Sequence, residues 1–385
     1  MSNSPFITEL SENQIIIRDT IKDFAEKNIR PFIMEYDESQ KFPMDLMQQL
    51  GELGFMGILV PEKFGGADLG YIEYALIVEE LAKVDPSVSL SVAAHNGLCT
   101  NHINLFGNEE QKKKYLPDLA SGKKIGAWGL TEAASGSDAA GLRSTAVKDG
   151  DFYILNGSKQ FTTHGTVGET YVVMAITNKD DGKKGISAFI LEKDMDGLII
   201  GKKENKLGMR ASDTTQLAFE NCKVHSENLL GEEGMGFINS MQVLEGGRIS
   251  IAALSVGLAQ GCLDASIKYS NERKQFNKHL SEFQAIQFKL ADMQTNIEAA
   301  RMLTFRAAYM KDHNIPNTKE AAEAKLFASE IAEKAANEAV QIFGGYGFIK
   351  EYPVEKFYRD VKLLTIGEGT SEIQRIVIAR DLLKD

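Results

Sequence analysis

Glu368 stands between two glycines in the stretch TIGEGTSEIQR (365–375), with Thr370, Ser371 and Glu372 following at an expected helix start. A carboxylate flanked by bare backbone can be approached closely by a substrate and could act as a general base, although acids at a helix start also complement the helix dipole without doing chemistry. Four other segments carry residues suited to a flat or phosphate-bearing ligand. GAWGLTEAASGSDAAGL (126–142) gathers Thr131, Ser135, Gly136 and Ser137 into a loop whose hydroxyls and backbone N–H groups could grip a planar polar ring; a plain surface loop has the same make-up. KQFTTHG (159–165) places Phe161 before Thr162 and Thr163, which could stack on a heterocycle and hydrogen-bond it, or fill a core. NERKQFNKHLSEFQ (271–284) sets Arg273 and Gln275 in a helix–helix connection, where a guanidinium fork suits a phosphate as well as a helix end. QIFGGYGF (341–348) reads as a helix C-cap whose bare Gly344 and Gly345 would also admit a ligand.

Three blocks of differing texture must position these segments. Ser11 with Gln14 forms a capping-box pattern, and Ile17, Ile21, Phe24, Ala25 and Ile29 then share one helical stripe. Helical spacing continues to about residue 120, punctuated by Pro31, Pro43, Pro61, Pro86 and Pro117 and the Gly65-Gly66 pair. From about 125 to 230 come β-rich runs such as FYILNG (152–157), TYVVMAIT (170–177) and ISAFILEK (186–193). An Asn156-Gly157 turn is expected to place KQFTTHG on the second arm of a hairpin. After about 235, long helices return; one spans Ala324 to Ile342, with Asn317 and Glu320 as the expected capping pair and Gly344-Gly345 at its stop. Helices, strands, helices in that order predict an α+β fold with segregated modules over 1–124, 125–234 and 235–385. No G-x-G-x-x-G follows a strand and no G-x-x-x-x-G-K-[ST] occurs, so a nucleotide would have to be held another way.

Composition narrows the function further. With 43% hydrophobic and 25% charged residues the whole chain is expected to fold, and a net charge of -11 argues against a nucleic-acid partner. Cys99, Cys222 and Cys262 lie far apart and the six histidines lack ligand spacing, so neither a disulfide framework nor a metal is expected. The N-terminus shows no basic stretch leading into an apolar one, and no uninterrupted apolar run approaches the roughly 18 residues a membrane span needs; a cytoplasmic protein without membrane association is expected.

Together and in this order, the segments resemble the acyl-CoA dehydrogenase family, from LGFMGILVPEKFGG (53–66) to the C-terminus. The resemblance implies an N-terminal helical domain, a middle β domain (barrel or sandwich) and a C-terminal four-helix bundle, with FAD between the last two. It implies that Trp128, Gly129, Leu130, Thr131, Gly136 and Ser137 line the flavin and the CoA entrance, and that Phe161, Thr162 and Thr163 touch the isoalloxazine ring. In a homotetramer, Arg273, Gln275, Phe276, Gln284, Gln341, Ile342, Phe343, Gly344 and Gly345 would clasp the ADP half of a neighbouring subunit's FAD, while Thr370, Ser371 and Glu372 meet the cofactor near the catalytic loop. Ser137, Glu245, Arg248 and Gly369 would face the acyl-CoA substrate. Glu368 would remove the α-proton as the β-hydride leaves for the flavin, giving a trans-2-enoyl-CoA, with the electrons passed to electron-transferring flavoprotein.

The sequence departs from the family pattern in places. Gly367 stands where Tyr often precedes the base, which would widen the acyl pocket and admit branched or longer chains; AAHNGLC (93–99) resembles the branched-chain members, and short or branched acyl groups are expected. His164 stands where Asn is common. Some relatives carry the base at the position of Gly247, which glycine cannot fill, so Glu368 keeps the role. Two alternatives are an oxygen-using enzyme of the same fold, whose oxidase members have longer chains and whose monooxygenase members lack this Glu, and a non-catalytic acyl-CoA or flavoprotein scaffold.

Overall fold

The structure, a computed structural model, describes residues 9–384, so part of the N-terminal stretch scanned above for a leader lies outside the described residues. Helix α1 (Glu12–Phe24) begins as the sequence dictates: the Ser11 hydroxyl accepts from the Gln14 N–H and the Gln14 side chain accepts from the Ser11 N–H. Its stripe buries Ile21 and Phe24 and continues through a π turn to Ile29. There follow α2 (Ile33–Ser39), α3 (Met44–Glu52), α4 (Tyr71–Val84), α5 (Pro86–Ala94), α6 (Asn101–Phe106) and α7 (Glu109–Ala120). Pro43 and Pro86 mark helix starts, but Pro117, expected as a boundary, lies inside α7. The buried Tyr115, Leu116, Leu119 and Ala120 hold that turn despite the missing N–H.

The middle block is one twisted sheet built from β1 (Gly126–Gly129), β2 (Thr145–Asp149), β3 (Phe152–Thr163), β4 (Thr170–Ile176), β5 (Ile186–Glu192), β6 (Leu198–Lys203), β7 (Thr214–His225) and β8 (Leu229–Leu230). The strands lie in the order β6-β7-β3-β2-β4-β5-β8, and β1 pairs in parallel with β4. Asn156-Gly157 is not a turn. It is a bulge within β3, where the register against β7 slips between Leu155 and Gly157. The Asn156 side chain accepts from the Asn221 N–H at 2.9 Å, and Gly157, at φ 138°, abuts Ser144 so closely that no side chain would fit. Contacts across the sheet therefore override the local turn preference, and KQFTT is the far end of one long strand, with His164 and Gly165 in the turn that follows.

The last block comprises α8 (Gly236–Glu272), a small hairpin of β9 (Lys274–Gln275) and β10 (Lys278–His279), then α9 (Gln284–Asp312), α10 (Thr318–Phe343), α11 (Pro353–Asp360) and α12 (Ser371–Leu382). Helix α8 is long and apolar enough to cross a membrane by length and composition, but 83% of that window is buried in the fold. Added side chains at Gly257 and Gly261 would strike the carbonyls of Glu79 and Lys83 at 2.2 and 2.5 Å, so α8 and α4 meet nearly backbone to backbone. Asn317, expected to cap α10, instead donates to the Ala307 carbonyl at 2.9 Å. Glu320 is engaged by Arg306 and Lys319 rather than by a capping box.

The helices at the two ends of the chain share one continuous core. A buried charge cluster ties all three blocks. The Lys356 ammonium donates to Asp85 at 3.0 Å and to Asp360 at 2.6 Å, all three residues being fully buried, and Asp360 also accepts the N–H of Met209 from the middle block. Beside it, Arg359 pairs with Asp37 and Glu355. The sheet is fastened to the N-terminal helices at Gly126, whose N–H donates to His95 Nδ1 and whose carbonyl accepts from His164 Nδ1, both at 3.0 Å.

Candidate active site

The turn Val361–Thr365 and the N-cap of α12 hold between them the loop that carries Glu368. Ile366 and Gly367 both donate their N–H groups to Leu363, and the Thr370 hydroxyl accepts from Ile373 to start α12. Glu368 and Gly369 sit at φ 53° and 94°, a left-handed pair that a glycine takes easily and a glutamate does not. The result drives the Glu368 side chain against α8. A side chain built on Gly247 would lie 1.8 Å from Glu368 Oε2, with Leu98 on the other side. Gly247 thus supplies the space that the carboxylate fills. Glu368 Oε2 is shielded from solvent and has no hydrogen-bond partner, although the residue as a whole keeps some exposure. Burial pushes its pKa up to about 7, against the pull of Lys325 and Arg248. Arg248, one position along α8, is buried with its Nε unpartnered, and burial lowers its pKa. Glu245, one turn earlier, is held by Lys311 and Thr318.

The opposite wall comes from the sheet. Trp128 in β1 donates its Nε1–H to His102 Nδ1 at 3.0 Å and packs with Leu98, Val243 and Leu244, which connects it to the carboxylate site. The buried Lys159 in β3 pairs with Glu132 at 2.6 Å, and Glu132 also accepts the N–H groups of Arg143 and Ser144. With Gln160 donating to the Thr131 carbonyl, these bonds brace the loop in which Gly136 and Ser137 stand exposed. Next along β3, a second register slip leaves Phe161 out of the ladder at φ 55° and 67% exposed. Thr162 beside it is buried with an unpartnered hydroxyl, and Thr163 is half-buried. Trp128 and Gly129 lie in β1, Phe161 to Thr163 end β3, and the Gln160–Thr131 bond ties the two segments; Trp128 reaches Leu98, which also stands beside Gly247 and Glu368.

A second group of expected ligand residues assembles elsewhere. Arg273 caps the far end of α8, about 39 Å from Gly247 at 1.5 Å per residue. Its guanidinium lies over the Tyr346 ring, while Tyr269 stacks on Phe343. Gln275 lies in β9 and Gln284 opens α9; Phe276, 89% exposed at φ 52°, forms the hairpin tip. Gln341 is exposed and Ile342 buried, and Gly344 at φ 61° and Gly345 leave open space where side chains would be. Thr370, Ser371 and Glu372 line a groove of about 570 Å³ with Glu333, Asn337 and Lys362. The structure thus brings Trp128 to the residues beside the Glu368 carboxylate, and leaves Arg273, Gln275 and Phe276, expected to clasp a neighbour's cofactor, beyond the far end of α8.

Three family models cover almost the whole chain: acyl-CoA dehydrogenase, N-terminal domain over 11–123, middle domain over 127–222 and C-terminal domain over 234–383. The chain belongs to the acyl-CoA dehydrogenase family. It is 51% identical to the probable acyl-CoA dehydrogenase YngJ of Bacillus subtilis (strain 168), over 98% of this chain and 99% of that one. Butyryl-CoA dehydrogenase from Megasphaera elsdenii superposes with a TM-score of 0.96 at 45% identity, over 98% and 99% of the two chains. A chain in the structure of the electron transferring flavoprotein of Acidaminococcus fermentans, described in work on flavin-based electron bifurcation, gives 0.97 at 49% identity, over 98% and 100%.

As a member of this FAD-dependent enzyme family, the protein has residues that fit the cofactor. Phe161 presents an exposed aromatic face, the Thr162 and Ser371 hydroxyls are buried without partners, and Gly344-Gly345 offers bare backbone. Several residues that matter to this acyl-CoA dehydrogenase were not singled out from sequence. Lys325 and His102 lie outside the strings that signal chemistry, and Lys159 and Gln374 lie within KQFTTHG and TIGEGTSEIQR, where other residues carry that signal. His164, which stands where Asn is common, is the link that fastens the end of β3 to β1.

Proposed function

We propose that the protein oxidises the α,β carbon–carbon bond of a short or branched acyl-CoA thioester, with Glu368 as the base. The observation that carries this reading is the Glu368 carboxylate, buried over Gly247 without a partner and with a pKa near 7, where a base is half ionised at neutral pH. Such a group takes a weakly acidic α-proton and holds it away from water. Among the described residues the Glu368 N–H has no acceptor, which suits it to donate to the thioester oxygen as enolate charge develops there. Trp128 and Phe161 wall the site, and the braced 131–137 loop orients what enters between sheet and bundle. FAD, when bound, accepts the hydride from the β-carbon, so the substrate loses two electrons and a proton goes to Glu368 as the double bond forms.

A side chain added at Gly367 would meet Leu363 at 3.5 Å, so the glycine leaves unfilled the space a larger residue would take next to the base, which supports room for branching at the acyl group. The likeness to a butyryl-CoA dehydrogenase favours a short chain. Arg273 lies about 39 Å along α8 from Gly247, which favours a homotetramer in which Arg273, Gln275, Phe276 and Gln341 to Gly345 serve a neighbour. Electron-transferring flavoprotein is the proposed acceptor. The test is anaerobic titration of the flavin-loaded protein with butyryl-, isobutyryl-, isovaleryl- and octanoyl-CoA. Bleaching of the oxidised flavin identifies the reaction and ranks the acyl groups; a flavin that none of them bleaches rejects the proposal for these classes.

A further inference from the structure

Lys325, on α10, is a fully buried lysine whose ammonium points to no carboxylate at ion-pair distance among the described residues. It donates instead to the Gly369 carbonyl at 2.7 Å. Gln374 Nε2 donates to the same oxygen at 2.9 Å and reaches the Glu368 carbonyl at 3.4 Å. Two donors, one of them charged, therefore fix a loop in which consecutive residues hold left-handed dihedrals. A structural lysine could satisfy any buried carbonyl; this one is spent on the peptide that follows the base.

We propose that Lys325 is the positioning residue for Glu368: it pins the Gly369 carbonyl so that the carboxylate stays over Gly247, and its charge favours the ionised carboxylate. The idea rests on Glu368 being the base. The surrounding charges are few. Arg248 faces the pair from α8, Tyr74 from α4, Glu330 from α10 and Glu372 from α12. Of these, Lys325 and Arg248 oppose the rise in the Glu368 pKa that burial causes, and the Lys325 pKa is itself pushed down to about 8 by burial.

The test is anaerobic stopped-flow reduction of the flavin between pH 6 and 9, using whichever acyl-CoA bleaches the wild-type protein. A wild-type flavin that no acyl-CoA reduces rejects the assignment of the base and says nothing against a working lysine contact, so the two failures are distinguishable. For Lys325→Met the midpoint of the pH profile is expected about one unit higher, and the rate at pH 7 about fivefold lower, as loss of one close opposite charge produces. Lys325→Arg, which keeps the charge, is expected to return the midpoint toward the wild-type value. If Lys325→Met does not retain flavin, Lys325→Gln, neutral but still a donor, is read by the same midpoint. A neutral variant with an unmoved midpoint overturns the proposal, whatever its rate, because a merely structural prop would slow the reaction without changing when the base ionises.

Discussion

Replacing Gly247 by alanine separates the fold from the chemistry more cleanly than any change to the base itself. The new Cβ would lie 1.8 Å from Glu368 Oε2 and 3.0 Å from its carboxyl carbon, with the next neighbour, Leu98, at an ordinary 3.6 Å. Non-bonded atoms rest at about 3.5 Å, so the carboxylate must retreat by about 1.5 to 2 Å. It is the end of a flexible side chain, and the helix interior gains as much as about 1 kcal/mol when alanine replaces glycine. Stability is therefore expected to hold or rise. Catalysis has no such tolerance, since a displacement of about 1 Å in a reacting group costs on the order of 100-fold. The expected result is an unchanged flavin content, a melting temperature equal to or above that of the parent, and flavin reduction slowed about 100-fold in anaerobic stopped-flow. A Gly247→Ala protein that reduces its flavin at the parent rate would refute the placement of the carboxylate, and one that fails to fold would refute the claim that only a side-chain tip stands in the way.

Other outcomes follow from the same geometry. Glu368→Gln is expected to lower the rate of flavin reduction by about 10³-fold or more, and the parent rate should rise with a single-proton slope centred near pH 7. Because the folded pKa lies above the ordinary 4.5, Glu368 contributes stability below that value and loses it as pH rises through about 7. Glu368→Gln should thus gain stability relative to the parent between pH 5 and 8, by about 3 kcal/mol at most at about 1.4 kcal/mol per unit, and a gap that shrinks with pH would contradict this. Lys159→Met strands the buried Glu132 carboxylate and should cost about 3 kcal/mol, seen as a lower melting temperature together with flavin loss on gel filtration. Phe161→Ala removes an exposed ring, so stability should stay within about 0.5 kcal/mol while flavin affinity falls by up to about tenfold, measured by fluorescence titration of the stripped protein.

Local rules in the sequence were legible where the neighbours agree with them. The Ser11–Gln14 cap, the Thr370 start of α12, the Gly344 stop of α10 and the helix–strand–helix order all follow from short-range pattern and recur in the structure. They failed where contacts distant in sequence dominate. Asn156-Gly157 favours a turn until Asn221 and Ser144 hold it extended, and Asn317 leaves its own helix to satisfy Ala307. Glu368 stood out because its glycine neighbours are visible in the string. Lys325 and Lys159 did not, since a lysine reads as a solvated charge and only the fold reveals one with no exposure. Gly247 showed in sequence only as a place where a base is missing; in space it is the room that another base needs.

The charge cluster at Lys356 also sets an order of events for a chain being made. Asp85 belongs to the first quarter of the sequence, the Met209 N–H to the middle, and the cation that neutralises Asp85 emerges only near the end. Until then the Asp85 carboxylate has the Ser87 N–H but no cation beside it, so the final packing of the early helices is expected to wait for almost the entire chain to leave the ribosome. Fragments ending before residue 356 should behave as unfinished proteins rather than independent domains, and exchanging one block with a relative requires that Asp85, Lys356 and Asp360 be inherited together.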